Sequence, residues 1–245
     1  MTMQMWQLGF YENRLKLFLL TFLTVPLLVG VSRYAGFAET STWREDLLDA
    51  CVAYAVGATT STLVLLLFAI IGPETTLDAV VGKVALQAMA ASLGALLARG
   101  QLGQKGADED RRRREAGYLG ELFLMAVGAL FLSLNVTPTN EVELLAYRMG
   151  PWHALALALV SMLAMHGFVY AVRFQGGTDL SPATPWRSAA LRFTVAGYAV
   201  ALAISLYVLW SFGHVAGTAW AGVARTVVVL GFPAAIGAAG ARLIV

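Results

Sequence analysis

Residues 189–212 read AALRFTVAGYAVALAISLYVLWSF, an almost wholly apolar stretch with one charged side chain, Arg192. A helix that crosses the hydrocarbon core of a bilayer needs about 20 mostly apolar residues at 1.5 Å of rise each, and this stretch meets that requirement. Working outward, comparable segments run near Leu15–Ser32, Leu47–Ile71, Thr76–Ala98, Tyr118–Val136, Trp152–Val172 and Ala216–Leu243. Little of the chain is left over to fold in water. Backbone polar groups in lipid are satisfied only by helices or a closed barrel, and a barrel would show alternating strands of about ten residues. The expected fold class is therefore an all-α polytopic membrane protein: one transmembrane domain over residues 1–245, with seven helices.

Composition agrees. Of the 245 residues, 58% are hydrophobic and 13% charged, against about 25% charged in soluble domains. The net charge of +2 gives no footprint for nucleic acid, and the bilayer is the partner the chain is built for. Cys51, the single cysteine, excludes an internal disulfide and any multi-cysteine metal site. Within the second span it is expected to be a buried, inert thiol. Glu12, Arg14 and Lys16 precede the first span, and no small-residue cleavage site follows it. That pattern reads as a retained helix and not a removed signal peptide.

Lys and Arg residues fall unevenly across seven spans. One side holds Arg33, Arg44, Arg99, Lys105, Arg111 to Arg114, Arg173, Arg187, Arg192 and Arg242; the other holds Arg14, Lys16, Lys83, Arg148 and Arg225. The positive-inside rule then predicts an outside N-terminus and a cytoplasmic C-terminus. Residues 99–116 are expected to form the longest cytoplasmic loop, with Asp108-Glu109-Asp110 followed by four arginines. Such a run attracts anionic lipid at about 1 kcal/mol per residue; the simpler reading is a topology signal on a solvated linker.

Short matches point to an internal repeat. Trp43-Arg44 recurs as Trp186-Arg187, and Gly94-Ala95 with Ala98-Arg99 recurs as Gly237-Ala238 with Ala241-Arg242, both 143 residues apart. Ala55-Val56-Gly57-Ala58 returns at about half that spacing as Ala126-Val127-Gly128-Ala129. One added helix followed by three parallel hairpins explains these matches; an inverted duplication with an extra helix is the competing arrangement.

The same register sets depth. Asp49 aligns with Arg192, Glu121 falls near the same step, and His166 lies seven residues before Arg173. Asp49, Glu121, His166 and Arg192 are thus candidates to meet at one level near the cytoplasmic side. Lys83, His153 and Arg225 fall at corresponding steps near the outer face, as candidates for an outer vestibule. Ionisable groups cost about 2.5–3.5 kcal/mol at a helix centre, so they pair, face the bundle or line water. The inner group reads either as a salt-bridge network or as an ionic gate, with a histidine whose charge changes between pH 5 and 8. The outer group reads as snorkelling side chains paired with Glu74, Asp78, Glu141 and Glu143, or as a basic vestibule for anions.

Pro26 and Pro233 remove backbone donors inside spans one and seven and are expected to kink them. Thr59-Thr60-Ser61-Thr62, Gln87 and Asn135 supply polar groups within spans, and hydroxyls there commonly bond back to their own helix. Gly217 with Ala221, and Gly237 with Ala241, have the four-residue spacing that permits close helix approach, within the bundle or between subunits. No lysine sits late in the chain for a retinal Schiff base, and no paired metal-ligand, nucleophile-elbow or phosphate-loop pattern occurs. Neither an enzyme nor a bound cofactor is expected.

The run Gly117 to Ala129, continuing through Phe131-Leu132-Ser133-Leu134-Asn135-Val136 and Thr137-Pro138-Thr139, joins Pro151-Trp152-His153-Ala154 and His166-Gly167-Phe168-Val169-Tyr170. Together these segments resemble an uncharacterised family of bacterial integral membrane proteins, a domain of unknown function. The resemblance implies a multi-pass protein of the inner membrane and carries over no site residue. The leading expectation is a small ion channel or passive facilitator, forming a homo-oligomer and handling an inorganic ion or small solute. The alternatives are a proton-linked secondary transporter and a non-transporting sensor or assembly factor.

Overall fold

A computed structural model describes residues 14–35, 42–102, 107–137, 140–174 and 190–244. Within them the chain forms α1 (Arg14–Ala35), α2 (Trp43–Leu67), α3 (Leu77–Leu102), α4 (Ala107–Val136), α5 (Glu141–Arg148), α6 (Pro151–Phe174), α7 (Ala196–Ser211) and α8 (Trp220–Ile244). A π-turn, Ala190–Val195, leads into α7. Six segments are long and apolar enough to span a bilayer: Trp43–Leu67, Leu77–Ala98, Gly117–Val136, Pro151–Phe168, Phe193–Ser211 and Trp220–Ala241. The first expected span also forms a helix, but its apolar part, Phe18–Arg33, is shorter. Arg14 and Lys16 occupy its first turn and Arg33 its last, so charge trims it at both ends.

The chain divides into two compact units, Met1–Arg112 and Arg113–Val245. In the first, α1 packs on both α2 and α3, and α2 and α3 form the closest pair. Thr42 opens α2: its backbone N–H donates to the Glu45 carboxylate at 3.1 Å, satisfying a donor that the helix itself leaves free. The helix stops at Leu67, short of the expected Ile71. Ala69 there takes the left-handed conformation (φ 54°), and the Ile70 N–H closes back on the Leu65 carbonyl at 2.8 Å. Gly57 lets α2 and α3 touch through their backbones. A Cβ on it would lie 2.9 Å from the Ala88 carbonyl oxygen and 2.9 Å from the Ser92 nitrogen.

In the second unit α8 packs against α5, α6 and α7. Its Ala234, Ala235, Ala238 and Ala239 form a flat surface on which Met125, Ala129, Met165 and Ala201 are buried. α4 meets α8 where Gly128 faces Gly237; a Cβ on either would run into the other's carbonyl, and Ala241 closes the same contact. Lipid tails are as apolar as leucine, so helices in a membrane associate through such close packing and not by hydrophobic exclusion. The outward faces stay apolar, for example Leu155, Leu159 and Leu163 on α6.

The structure corrects several expectations. Residues 99–116 are not a loop throughout: α3 continues to Leu102 and α4 begins at Ala107. Asp108, Glu109 and Asp110 precede Arg112, Arg113 and Arg114 by four residues each, the favourable order for acid–base pairs on a helix. Gly117 (φ 59°, ψ −158°) then breaks this charged helix from the span that follows. Residues 141–148, expected to be a connection, form α5, whose Val142 and Ala146 pack on Leu209, Val229 and Leu230. The last span begins at Trp220, because Gly217 sits in the preceding turn with φ 73°. Gly217 and Ala221 therefore make no helical small-residue pair. Cys51 is exposed on α2, not buried, because it lies off the face that carries Ala50, Ala53 and Gly57 inward.

Replacing Gly128 by alanine is expected to lower stability by roughly 1–3 kcal/mol, the usual range for overpacking a tight contact. Gly167→Ala, where a Cβ meets nothing within 4 Å, should leave stability unchanged or slightly raised. Thermal unfolding of the two variants in detergent compares them directly.

Candidate functional site

Of the four inner candidates, three belong to the second unit and one to the first. Asp49 is buried on α2, as is Asp46 one turn earlier, and both make polar contacts. Glu121 lies on α4, His166 on α6, and Arg192 in the π-turn before α7. His166 meets α7's leading turn directly: its Nδ1 is 3.0 Å from Oγ1 of the buried Thr194. The π-turn itself is the kind of irregularity that marks functional helices, and it sets the positions of Arg192, Phe193 and Thr194.

Two contacts bracket Glu121 in depth. One turn toward the α4 start, Tyr118 packs edge-on against Phe193, with ring centroids 5.8 Å apart. One turn further along, Met125 lies against Gly197, where a Cβ would come 2.9 Å from Met125 Sδ and 2.5 Å from Met165 Cε. Glu121 is thus carried at the level of Thr194 and His166. Immediately above that ionisable layer, Met125 and Met165, both with no exposed surface, close over the bare backbone of Gly197. A polar layer beside two buried methionines is the main chemical feature of this end of the unit.

The outer candidates are held differently from the sequence reading. Lys83 reaches the Ile70 carbonyl at 3.4 Å. Arg225 donates through Nε to the Ala221 carbonyl at 3.1 Å and through Nη1 to the Met149 carbonyl at 3.0 Å. Among the described residues it makes no ion pair. His153 is exposed on the first turn of α6. Of the acids expected to pair with these cations, Glu74, Asp78, Glu141 and Glu143, the last instead pairs with His214 at 2.6 Å. Those two residues, with Tyr147, Thr218, Arg225 and Thr226, line a cleft between α5, the α7–α8 turn and α8. Sequence reading passed over it because residues 141–148 gave no sign of a helix folded back onto the bundle. The one usable signal was a histidine and a glutamate at the same end of neighbouring spans.

Polar groups inside spans mostly bond to their own helix. Thr62 donates to the Ala58 carbonyl at 2.8 Å, Asn135 to Phe131 at 2.7 Å and Ser205 to Ala201 at 2.8 Å. Gln87 differs: it is fully buried on α3, and neither amide atom has a hydrogen-bond partner among the described residues.

The family model described as "Putative integral membrane protein (DUF2391)" matches residues 1–245, the whole chain. This protein belongs to that family. Membership of DUF2391 agrees with an all-helical fold carrying several candidate spans, and the description assigns it no chemistry. No curated protein and no solved structure matches the chain. For this DUF2391 protein, functional argument therefore rests on its own side chains.

Thr194→Val, which keeps the shape but removes the hydroxyl facing His166, should cost about 1 kcal/mol. Thr194→Ser should restore most of it. The pair is read as a fall and recovery in unfolding temperature.

Proposed function

We propose that the protein is a small ion channel or passive ion facilitator, with Glu121 and His166 forming an ionisable constriction toward the cytoplasmic side. The observation that carries this reading is the shared level of Glu121, His166 and Thr194 directly beneath the Met125–Met165 seal. Ionisable groups are expensive inside a bilayer and are retained where they pair or meet a water-filled path. Apolar constrictions gate by excluding water, and methionine is the apolar side chain most able to change shape. Asp49 and Arg192 enter the proposal through their depth in the sequence.

The wider assignment includes seven spans with α1 as the first, an outside N-terminus, a multi-pass inner-membrane location and a homo-oligomeric assembly. The orientation is supported by the uneven Lys and Arg distribution. Close packing around Gly197 favours a second reading, a non-transporting sensor or assembly factor whose polar layer only fixes helix register. A proton-linked transporter using the same layer is the third.

Ion flux into liposomes holding the purified protein separates these readings. Potassium, sodium, calcium, chloride and protons are tested across pH 5–8. The channel predicts a selective leak that needs no opposing gradient, with a pH dependence flattened by His166→Ala and a flux changed several-fold by Glu121→Gln. Flux that requires a second gradient would indicate the transporter. No flux from folded, inserted protein would overturn transport altogether and leave the sensor reading.

A further inference from the structure

The cleft at the other end of the second unit has chemistry of its own. A carboxylate only accepts hydrogen bonds, so the 2.6 Å contact between Glu143 and His214 Nδ1 places the ring proton on Nδ1. With the ring neutral, its other nitrogen, Nε2, is an acceptor. It is buried and has no partner, and the His214 side chain is only 11% exposed. Buried polar atoms almost always find a partner, so this one calls for a donor that the protein does not supply.

Arg225 faces the same cleft. Two of its five N–H groups go to the Met149 and Ala221 carbonyls, leaving the rest and the positive charge for an oxyanion. The charged and titratable groups around His214 are Glu143 and Tyr147 from α5 and Arg225 from α8. A fitting ligand therefore brings a hydrogen-bond donor and an oxyanion close together. The cleft is narrow, with room for about one group the size of a water molecule, so a primary ammonium fits it more readily than a trimethylammonium.

Location names the source. α6 and α8 both begin at this end of the unit, and their Trp152 and Trp220 are 80% and 85% exposed, as is Tyr147 of α5 at 72%. Exposed Trp and Tyr at helix ends mark the headgroup level of a bilayer. α5 also exposes Leu144 and Leu145, as a helix lying in that layer does. We propose that this cleft binds the headgroup of a phosphatidylethanolamine-type lipid, its phosphate on Arg225 and its ammonium donating to His214 Nε2. This site is independent of any transport through the ionisable layer.

The test presents the detergent-solubilised protein with equal amounts of phosphatidylethanolamine and phosphatidylcholine of matched acyl chains, and counts bound lipids by native mass spectrometry. Wild type is expected to retain the ethanolamine lipid several-fold over the choline lipid. His214→Phe, which keeps the ring but removes Nε2, and Arg225→Gln should each bring the ratio to about one. Leu144→Ala, on the lipid-facing side of α5, should keep it. If either cleft variant fails to fold, the other decides, and unfolding temperatures identify which is folded. Equal retention of the two lipids by wild type would overturn the proposal, showing a cleft that holds water alone. So would a preference that survives in every folded cleft variant. Capture of soluble phosphoethanolamine with no lipid preference would overturn the lipid as the ligand.

Discussion

Inside a bilayer no water is available to satisfy a backbone amide or carbonyl, and every structural choice here answers to that constraint. The spans are helices because helices bond their own backbones. They are held to one another at places where side chains are almost absent, since exclusion from water no longer draws apolar surfaces together. Gly57 against Ala88 and Ser92, and Gly128 against Gly237, are the contacts of closest approach described for the two units. Both glycines come from the recurring Ala-Val-Gly-Ala run, so one short sequence serves the same mechanical purpose in α2 and in α4.

The same constraint sorts the polar residues. Thr62, Asn135, Ser205 and Thr226 return a hydrogen bond to the preceding turn, which neutralises a polar group without any tertiary partner. Others among the described residues meet another segment: Lys83 reaches Ile70 in the first unit, and in the second His166 meets Thr194 while Glu143 meets His214 beside Arg225. The His166 contact lies where α6 meets the turn leading into α7; the His214 contact lies where α6 and α8 begin, at the end that exposes Trp152 and Trp220.

Lengths and apolarity made the helical membrane class legible in the sequence, and counting residues at 1.5 Å each supplied only an expected depth for Glu121 and His166. The Lys and Arg distribution bears on orientation in the same direct way. These properties are local: they depend on a segment and its flanks. Even so, local reading mistook the charged segment before Gly117 for a loop, because its low hydropathy hid the four-residue acid–base spacing.

What the sequence determined by itself is therefore the solvent and most of the long apolar helices, since both follow from one-dimensional spacing. Only the tertiary structure decided which groups meet. That Thr194 meets His166 Nδ1 depends on the π-turn over residues 190–195. That Glu143 serves His214 and leaves Arg225 to backbone carbonyls depends on α5 folding against α7 and α8. Contacts between distant segments are set by helix rotation and packing, and a change of 100° per residue in facing direction is enough to exchange one partner for another.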